Sequence, residues 1–200
     1  IYSANVYQGA PEVLRGKARY LRIINIDHKT YTYWHKRPYL STGPVVSAVQ
    51  SEGVKRILGT VPIETDGSVS FYAPSGIPLH FQLLDEEQRA LQTMRSFVNV
   101  MPGESRGCLG CHELHSRTPD MHNGSAAISR TPATIMPPPW QDTTVSYARY
   151  VRPALDQYCA KCHEGDGEGR KTFDMTERPG APIFTEPYLT MIGKPSWGAP

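Results

Sequence analysis

The stretch VPIETDGSVSFY at residues 61–72, followed by LHFQL at residues 79–83, decides the fold class of the first half of this chain. The Asp66-Gly67 pair tolerates the positive φ angles of a tight hairpin turn, so residues 61–72 predict a β-hairpin. In residues 79–83 apolar side chains alternate with polar ones, which predicts a strand with one core face and one polar face. Both patterns are typical of antiparallel β-structure.

Two neighbouring segments extend this pattern. Residues 20–26, YLRIINI, form a run of apolar and β-branched side chains that predicts a buried strand. Residues 85–95 have helical propensity, but a turn at 85–88 followed by a strand over residues 89–100 agrees better with the strands before it. Several short strands separated by turn signals predict an immunoglobulin-like β-sandwich over residues 1–115, ending in the first motif described below.

The second half of the chain changes character. Five prolines interrupt regular structure between residues 116 and 143, so this stretch is predicted to be a Pro-rich linker. From residue 144 apolar side chains recur at helical spacing, beginning with Tyr147 and ending with Tyr158. Pro153 is expected to kink that helix or to open its second half. The fold class is therefore mixed, with a β-sandwich domain followed by a small α-helical segment at 144–200.

The composition limits the class of protein. The chain has 200 residues, of which 39% are hydrophobic and 20% charged, and a formal net charge of +2. Such a chain is long enough for one or two domains with a core, and its balanced charge argues against nucleic-acid binding. No apolar run approaches the roughly 18 residues of a membrane span. Because Ile1 is not an initiator Met and no signal sequence is visible, we expect a piece of a longer or processed polypeptide.

All four cysteines fall in two C-x-x-C-H motifs, CLGCH at residues 108–112 and CAKCH at residues 159–163. In this pattern the two thiols add to the vinyl groups of a haem, and the adjacent histidine binds the iron from one face. The sequence therefore predicts two c-type haems. Their attachment and iron-binding residues are Cys108, Cys111 and His112 for the first haem, and Cys159, Cys162 and His163 for the second.

Zinc and disulfides are the alternatives for these cysteines. Cys111 and Cys159 are separated by 47 residues, against roughly 15–20 in a zinc ribbon. A thioredoxin-like redox pair requires a βαβ setting, which neither motif has. Disulfides within each motif leave His112 and His163 unexplained. Haem attachment accounts for more of the pattern than any of these alternatives.

The sequence leaves open the ligand on the second face of each iron. No histidine follows His163, so the second haem takes Met175 or Met191, an earlier histidine, a residue of another chain, or no ligand. His115 and His122 follow the first motif and are the nearest candidates to cap a haem. A methionine ligand raises the reduction potential, and an open position lets iron bind small molecules, so this choice also separates the functions.

Residues 59–113, from GTVPIETDG through CLGCHE, and residues 151–165, VRPALDQYCAKCHEG, resemble the hydrazine synthase alpha subunit family. The resemblance covers roughly residues 55–165, with both motifs in the expected order. It implies a middle domain that carries the first haem and a following cytochrome c-like domain that carries the second. In that family a tyrosine shortly after the first motif holds the iron, and the motif histidine binds zinc. Residues 113–117 contain no tyrosine here, so His112 is interpreted as an ordinary haem ligand.

These observations predict a dihaem electron-transfer protein that belongs to a larger redox protein or complex. Covalent haem attachment takes place outside the cytoplasm, so a periplasmic or otherwise extracytoplasmic location is expected. A redox partner or further subunits are the expected partners. One alternative is a haem enzyme module of hydrazine synthase type that acts on a small nitrogen compound at the first haem. Another is a structural cytochrome whose haems conduct electrons within a larger complex.

Overall fold

The computed structural model describes residues 1–27, 54–94, 96–110, 124–141, 145–180 and 185–191. The chain divides into two compact units. The first consists of Ile1–Ile26 and Lys55–Thr143, and the second of Asp27–Val54 and Thr144–Pro200. Within the described residues the first unit is built from β-strands, and the α-helices belong to the second.

The described residues contain seven strands, which form two sheets. In chain order the strands are β1 (Tyr2–Ser3), β2 (Tyr20–Asp27), β3 (Val54–Pro62), β4 (Val69–Ser70), β5 (Leu79–Leu84), β6 (Ala90–Thr93) and β7 (Gly107–Cys108). One sheet has the strand order β3-β2-β5-β6 and the other β4-β1-β7. In the larger sheet β5 is antiparallel to both β2 and β6. In the smaller sheet β1 is antiparallel to β4 and parallel to β7, which places Ser3 opposite Cys108.

Apolar side chains from both sheets build one core. Ile23 of β2 and Leu79 and Leu83 of β5 are fully buried, as predicted. The polar face predicted for residues 79–83 is not solvent-facing throughout, because His80 is only 2% exposed. Phe71, which follows β4, packs edge-on against Phe81 with the ring centroids 5.9 Å apart. Burying a side chain of this kind contributes about 1.5–3 kcal/mol. The β-rich character of this half is confirmed, whereas the immunoglobulin-like assignment stays a prediction.

The segment at residues 61–72 contains the predicted turn but not a paired hairpin. The N–H of Gly67 donates to the carbonyl oxygen of Glu64 at 2.9 Å, and Gly67 has a φ of +82°. The strands on its two sides, β3 and β4, belong to different sheets. The chain therefore uses this turn to pass from one sheet to the other. The turn predicted at 85–88 is also present, and β6 follows it. The strand predicted to reach residue 100 ends at Thr93, and beyond it Val98 makes only an isolated bridge with Leu79.

The described part of the predicted Pro-rich linker, residues 124–141, is bound to the strands. Met136 and Thr60 exchange two backbone hydrogen bonds of 2.9 Å, and the N–H of Ala133 donates to the carbonyl oxygen of Ser70 at 2.8 Å. These bonds satisfy backbone groups along β3 and β4. The segment therefore extends the first unit and is more than a connection to the helical part of the chain.

The helical part contains α1 (Arg152–Tyr158), α2 (Ala160–His163) and α3 (Glu186–Met191) among the described residues. A π-helical turn, Tyr147–Val151, precedes α1. Pro153 stands in the first turn of α1, where its missing N–H costs no helical hydrogen bond. Pro153 therefore opens the second half of the predicted helix, which is α1. None of these described helices has the length and apolar character needed to cross a membrane.

The apolar stripe predicted on this helix is only partly covered, since Tyr147 packs against Tyr188 while Tyr158 is exposed. No side chain of α1 or α2 is fully buried, and Tyr158 is 77% exposed. Helical domains normally bury such a stripe against a neighbour. Helices are present where the sequence predicts them, whereas the cytochrome c-like assignment of this segment stays a prediction.

Candidate functional site

The second C-x-x-C-H motif occupies the junction of α1 and α2. Cys159 lies between the two helices, and its carbonyl oxygen accepts the N–H groups of both Cys162 and His163 at 3.1 Å. Residues three and four apart on a helical turn share a face, so this turn brings both thiols and the imidazole to the same side. The thiols of Cys159 and Cys162 form no disulfide, and Cys162 is exposed. The motif therefore presents two attachment points and one metal-binding group together.

The backbone orients the imidazole of His163. Its Nδ1 lies 2.8 Å from the carbonyl oxygen of Phe173, and the two rings are 5.7 Å apart. Because a carbonyl oxygen only accepts hydrogen bonds, Nδ1 is the donor in this contact. This leaves Nε2 as the nitrogen whose lone pair a metal ion would take.

The space beside Nε2 of His163 depends on Gly169, which lies in the 3-10 turn Glu168–Lys171. A Cβ atom at this position would lie 2.9 Å from Cε1 and 3.0 Å from Nε2 of His163. Both distances are shorter than the roughly 3.5–4.0 Å of an optimal contact between heavy atoms. The residues of the second motif therefore fit a haem, since they combine two thiols on one face, an oriented imidazole and a glycine that leaves room at its iron-binding edge.

Arg152 of α1 is bonded to the segment that follows His163. Its Nη1 donates to the carbonyl oxygen of Met175 at 2.7 Å, its Nη2 donates to the carboxylate of Glu164, and its Nε pairs with Asp156 at 2.7 Å. The side chain is only 15% exposed. Burial alone lowers the pKa of Arg152, but the hydrogen bond to Glu164 and the charges of both carboxylates outweigh it and raise the pKa. Arg152 is therefore a firmly charged group in a partly buried position.

The first motif lies only partly in the described residues. Cys108 ends β7, whereas Cys111 and His112 lie outside the described residues, as do His115 and His122. Cys108 lines a cavity of about 650 Å³. This volume lies within the roughly 300–1,000 Å³ that is typical of pockets for small molecules and cofactors.

The walls of this cavity are mainly apolar and come from both sheets, including Val6, Leu21, Val69, Phe71 and Phe81. The polar side chains of Ser3 and Arg106 also line it. Ser3 is 5% exposed, and its Oγ has no hydrogen-bond partner among the residues that the structure describes. Arg106 is paired with Glu104 at 2.6 Å. Apolar walls with a cysteine and a few polar groups fit a haem attached at Cys108.

The methionines considered as second iron ligands differ in their surroundings. Met175 is 1% exposed, and its N–H donates to the carbonyl oxygen of His163 at 2.9 Å. Met191 ends α3 and is 39% exposed. Within the described ranges, no group of three or more His, Cys, Asp or Glu side chains that could hold a metal ion is present. The second ligand of each iron therefore stays a prediction.

Part of the chain is similar to a protein family and to a solved structure. Residues 16–113, which include β2 to β7 and the first motif, match the family model described as the hydrazine synthase alpha subunit middle domain. This segment is hydrazine synthase-like. The solved structure "Kuenenia stuttgartiensis Hydrazine Synthase" has a similar fold, with a TM-score of 0.56 and 19% sequence identity, and the match covers 76% of this chain. The chain spans about a quarter, 26%, of the length of that hydrazine synthase chain. No curated protein matches this sequence.

Three residues contribute to the second motif without a signal in the sequence pattern. Phe173 acts through its backbone carbonyl, which any residue supplies. Gly169 ends a GDGEG loop whose composition is typical of a turn. Arg152 resembles the neighbouring Arg149 in every property that the sequence shows. Only the fold distinguishes these residues from their neighbours.

Proposed function

We propose that this chain is a dihaem c-type cytochrome module that carries electrons through two covalently bound haems. The haems are attached through Cys108 and Cys111 and through Cys159 and Cys162. The observation that carries the proposal is the geometry around His163. Its Nδ1 lies 2.8 Å from the carbonyl oxygen of Phe173, and both thiols of its motif share its face of one helical turn.

The residues of the second motif provide attachment and a fixed electrostatic setting. Haem c, when bound, supplies an iron that takes up and releases one electron at a potential set by its axial ligand and surroundings. His163 presents Nε2 toward such an iron, and the hydrogen bond from Nδ1 to Phe173 fixes the ring and raises the basicity of Nε2. The uncovered apolar side chains of α1, including Tyr158, offer a surface for the porphyrin.

The cavity beside Cys108 supports attachment of the first haem. Its apolar walls exclude water from a bound macrocycle, and His112 is the proposed iron ligand. Thioether formation implies an extracytoplasmic location, and we propose a periplasmic or otherwise exported protein. The likeness to one quarter of a hydrazine synthase chain supports further domains, subunits or a redox partner that complete the assembly.

The proposal is tested by the mass and the spectra of the purified protein. We expect a denatured mass equal to polypeptide plus two haems, and low-spin optical and EPR spectra that nitric oxide does not alter. Replacing Cys159 and Cys162 by Ala removes one haem, and replacing Cys108 and Cys111 by Ala removes the other. A denatured mass equal to that of the bare polypeptide contradicts the proposal.

The cavity also favours a second candidate, a haem enzyme module that acts on a small nitrogen compound at the first haem. Ser3 supports this candidate, because its buried hydroxyl lies opposite Cys108 and is available for a small polar ligand. The enzyme module predicts one high-spin haem that binds nitric oxide, cyanide or hydroxylamine, with a weaker response in Ser3→Ala. Two low-spin haems that bind none of these molecules exclude it.

A further inference from the structure

Both ends of one loop meet at the guanidinium of Arg152. The loop runs over residues 164–175, from the residue after His163 to the residue whose N–H returns to the His163 carbonyl. Arg152 donates to the side chain of Glu164 at the first end and to the carbonyl oxygen of Met175 at the other. Because Arg152 belongs to α1, it ties the closed loop to the helix that leads into the second motif.

This loop contains the two residues that surround the His163 ring. Phe173 supplies the acceptor for Nδ1, and Gly169 is the residue whose Cβ would meet Cε1 and Nε2. A shift of the loop relative to α1 therefore moves both the hydrogen-bond acceptor and the ring neighbour at once. The Nη1 and Nη2 donors of Arg152 form a planar fork. This fork restricts such a shift more than a single donor does, since it fixes direction as well as distance.

We infer that Arg152 is a positioning residue that sets the hydrogen bond from His163 to Phe173 and, through it, the reduction potential of the second haem. The inference rests on the proposed function, because it requires His163 to bind iron. A firm hydrogen bond from Nδ1 makes the imidazole a stronger electron donor and stabilises the oxidised iron. Loosening the loop weakens that bond, so the potential of the second haem rises when Arg152 is replaced.

The sign of the shift separates positioning from a simple charge effect. A cation near an iron stabilises the reduced form, so loss of the Arg152 charge acting alone lowers the potential. Loss of the fork acts in the opposite direction through His163. Arg149 supplies the matched control, because it lies in the adjoining π-helical turn and its guanidinium lies 5.2 Å from the centroid of the Tyr150 ring.

The experiment measures the midpoint potentials of both haems in the full chain for the wild type, Arg152→Gln, Arg152→Lys and Arg149→Gln. A Cys108→Ala/Cys111→Ala chain identifies the signal of the second haem. We expect a positive shift of the second haem in Arg152→Gln, a smaller positive shift in Arg152→Lys, and a first haem that does not move. In the reduced protein, NMR should show faster solvent exchange of the His163 Nδ1 proton in Arg152→Gln than in Arg149→Gln.

Each outcome decides the inference. An unchanged or lowered potential in Arg152→Gln overturns it, and so does unchanged exchange of the Nδ1 proton. If Arg152→Gln does not load the second haem, Arg152→Lys serves as the test, because it keeps the cationic charge and replaces the planar guanidinium by a single ammonium group. A positive shift then supports the inference, and no shift overturns it. A wild-type chain without haem overturns the proposed function itself and is recognised from its mass before any variant is compared.

Discussion

The carbonyl oxygen of Phe173 accepts the Nδ1 proton of His163 at 2.8 Å, across ten residues of sequence. This contact selects the ring nitrogen that faces a metal, and Gly169 leaves room beside that nitrogen. The second motif therefore depends on a backbone carbonyl and a missing side chain as much as on its cysteines.

The first prediction concerns Gly169→Ala. Gly169 lies in a 3-10 turn without a left-handed φ, so alanine adds contacts with the His163 ring and, at 3.0 Å, with the backbone carbonyl oxygen of Cys162. We expect the second haem to stay attached, because both thiols remain, but to lose its low-spin signal as the ring is displaced. Optical and EPR spectra measure the spin state, and the denatured mass measures attachment.

Gly165→Asn is the matched control for this substitution. Gly165 has a φ of +55°, which asparagine tolerates, and nothing lies within 4 Å of its Cβ position. The control should keep both low-spin haems. A Gly169→Ala protein with the spectrum of the wild type shows that the contact with His163 has no effect on ligation.

The second prediction concerns the cavity beside Cys108. Val98 lines this cavity, and its backbone is fixed by hydrogen bonds of 2.7 and 2.9 Å with Leu79. Val98→Trp should fill part of the cavity and prevent attachment of the first haem while the second remains. Digestion and mass analysis of the haem peptides measures each site separately. Val13→Trp, at a position 65% exposed and outside the cavity lining, should retain both haems. Full loading of the first motif in Val98→Trp contradicts the assignment of the cavity.

The third prediction concerns pH and Asp66. Its Oδ2 accepts the N–H of Ala126 at 2.8 Å, and its Oδ1 accepts from the N–H and the hydroxyl of Ser68 at 2.9 and 2.6 Å. Burial raises the pKa of Asp66, but these hydrogen bonds outweigh it and hold the pKa below the usual 3.8. The stabilisation is therefore complete above the usual pKa and is lost as the pH falls through the lower pKa of the folded state.

Urea unfolding at several pH values between about 6 and 2 tests this sign. The wild type should lose more stability than Asp66→Asn over the acidic part of this range, because the asparagine has no proton to gain. Val13→Ala, at a position 65% exposed and without a titratable side chain, should keep the pH profile of the wild type. Parallel profiles for the wild type and Asp66→Asn show that Asp66 does not link pH to folding.

The strands were predictable because their signals are local. The alternation in β5 and the apolar run of β2 each determine a buried face without reference to the rest of the chain. The membership of β3 and β4 in different sheets was not predictable, because strand pairing depends on partners far away in the sequence. The turn at Gly67 has the same local chemistry in a hairpin and in a connection between sheets.

The candidate site divides in the same way. Covalent attachment requires particular side chains at fixed spacing, so Cys159, Cys162 and His163 are visible in the sequence. The contacts made by Phe173 and Arg152 depend on how the loop after His163 folds back onto α1, and a backbone carbonyl has no residue signature. The cavity combines residues from both sheets, which no short window of sequence contains.

The last prediction concerns the core that supports the cavity. Leu83 of β5 is 1% exposed and lies in the core shared by the sheets, but it does not line the cavity. Leu83→Ala removes buried contacts and leaves a void, which should lower the free energy of unfolding by about 2–5 kcal/mol. Val13→Ala, at a position 65% exposed, should change it by less than about 0.5 kcal/mol. Urea unfolding followed by circular dichroism measures both values. Equal stabilities for the two variants contradict a core at Leu83. They also contradict the rigid wall that the cavity beside Cys108 requires.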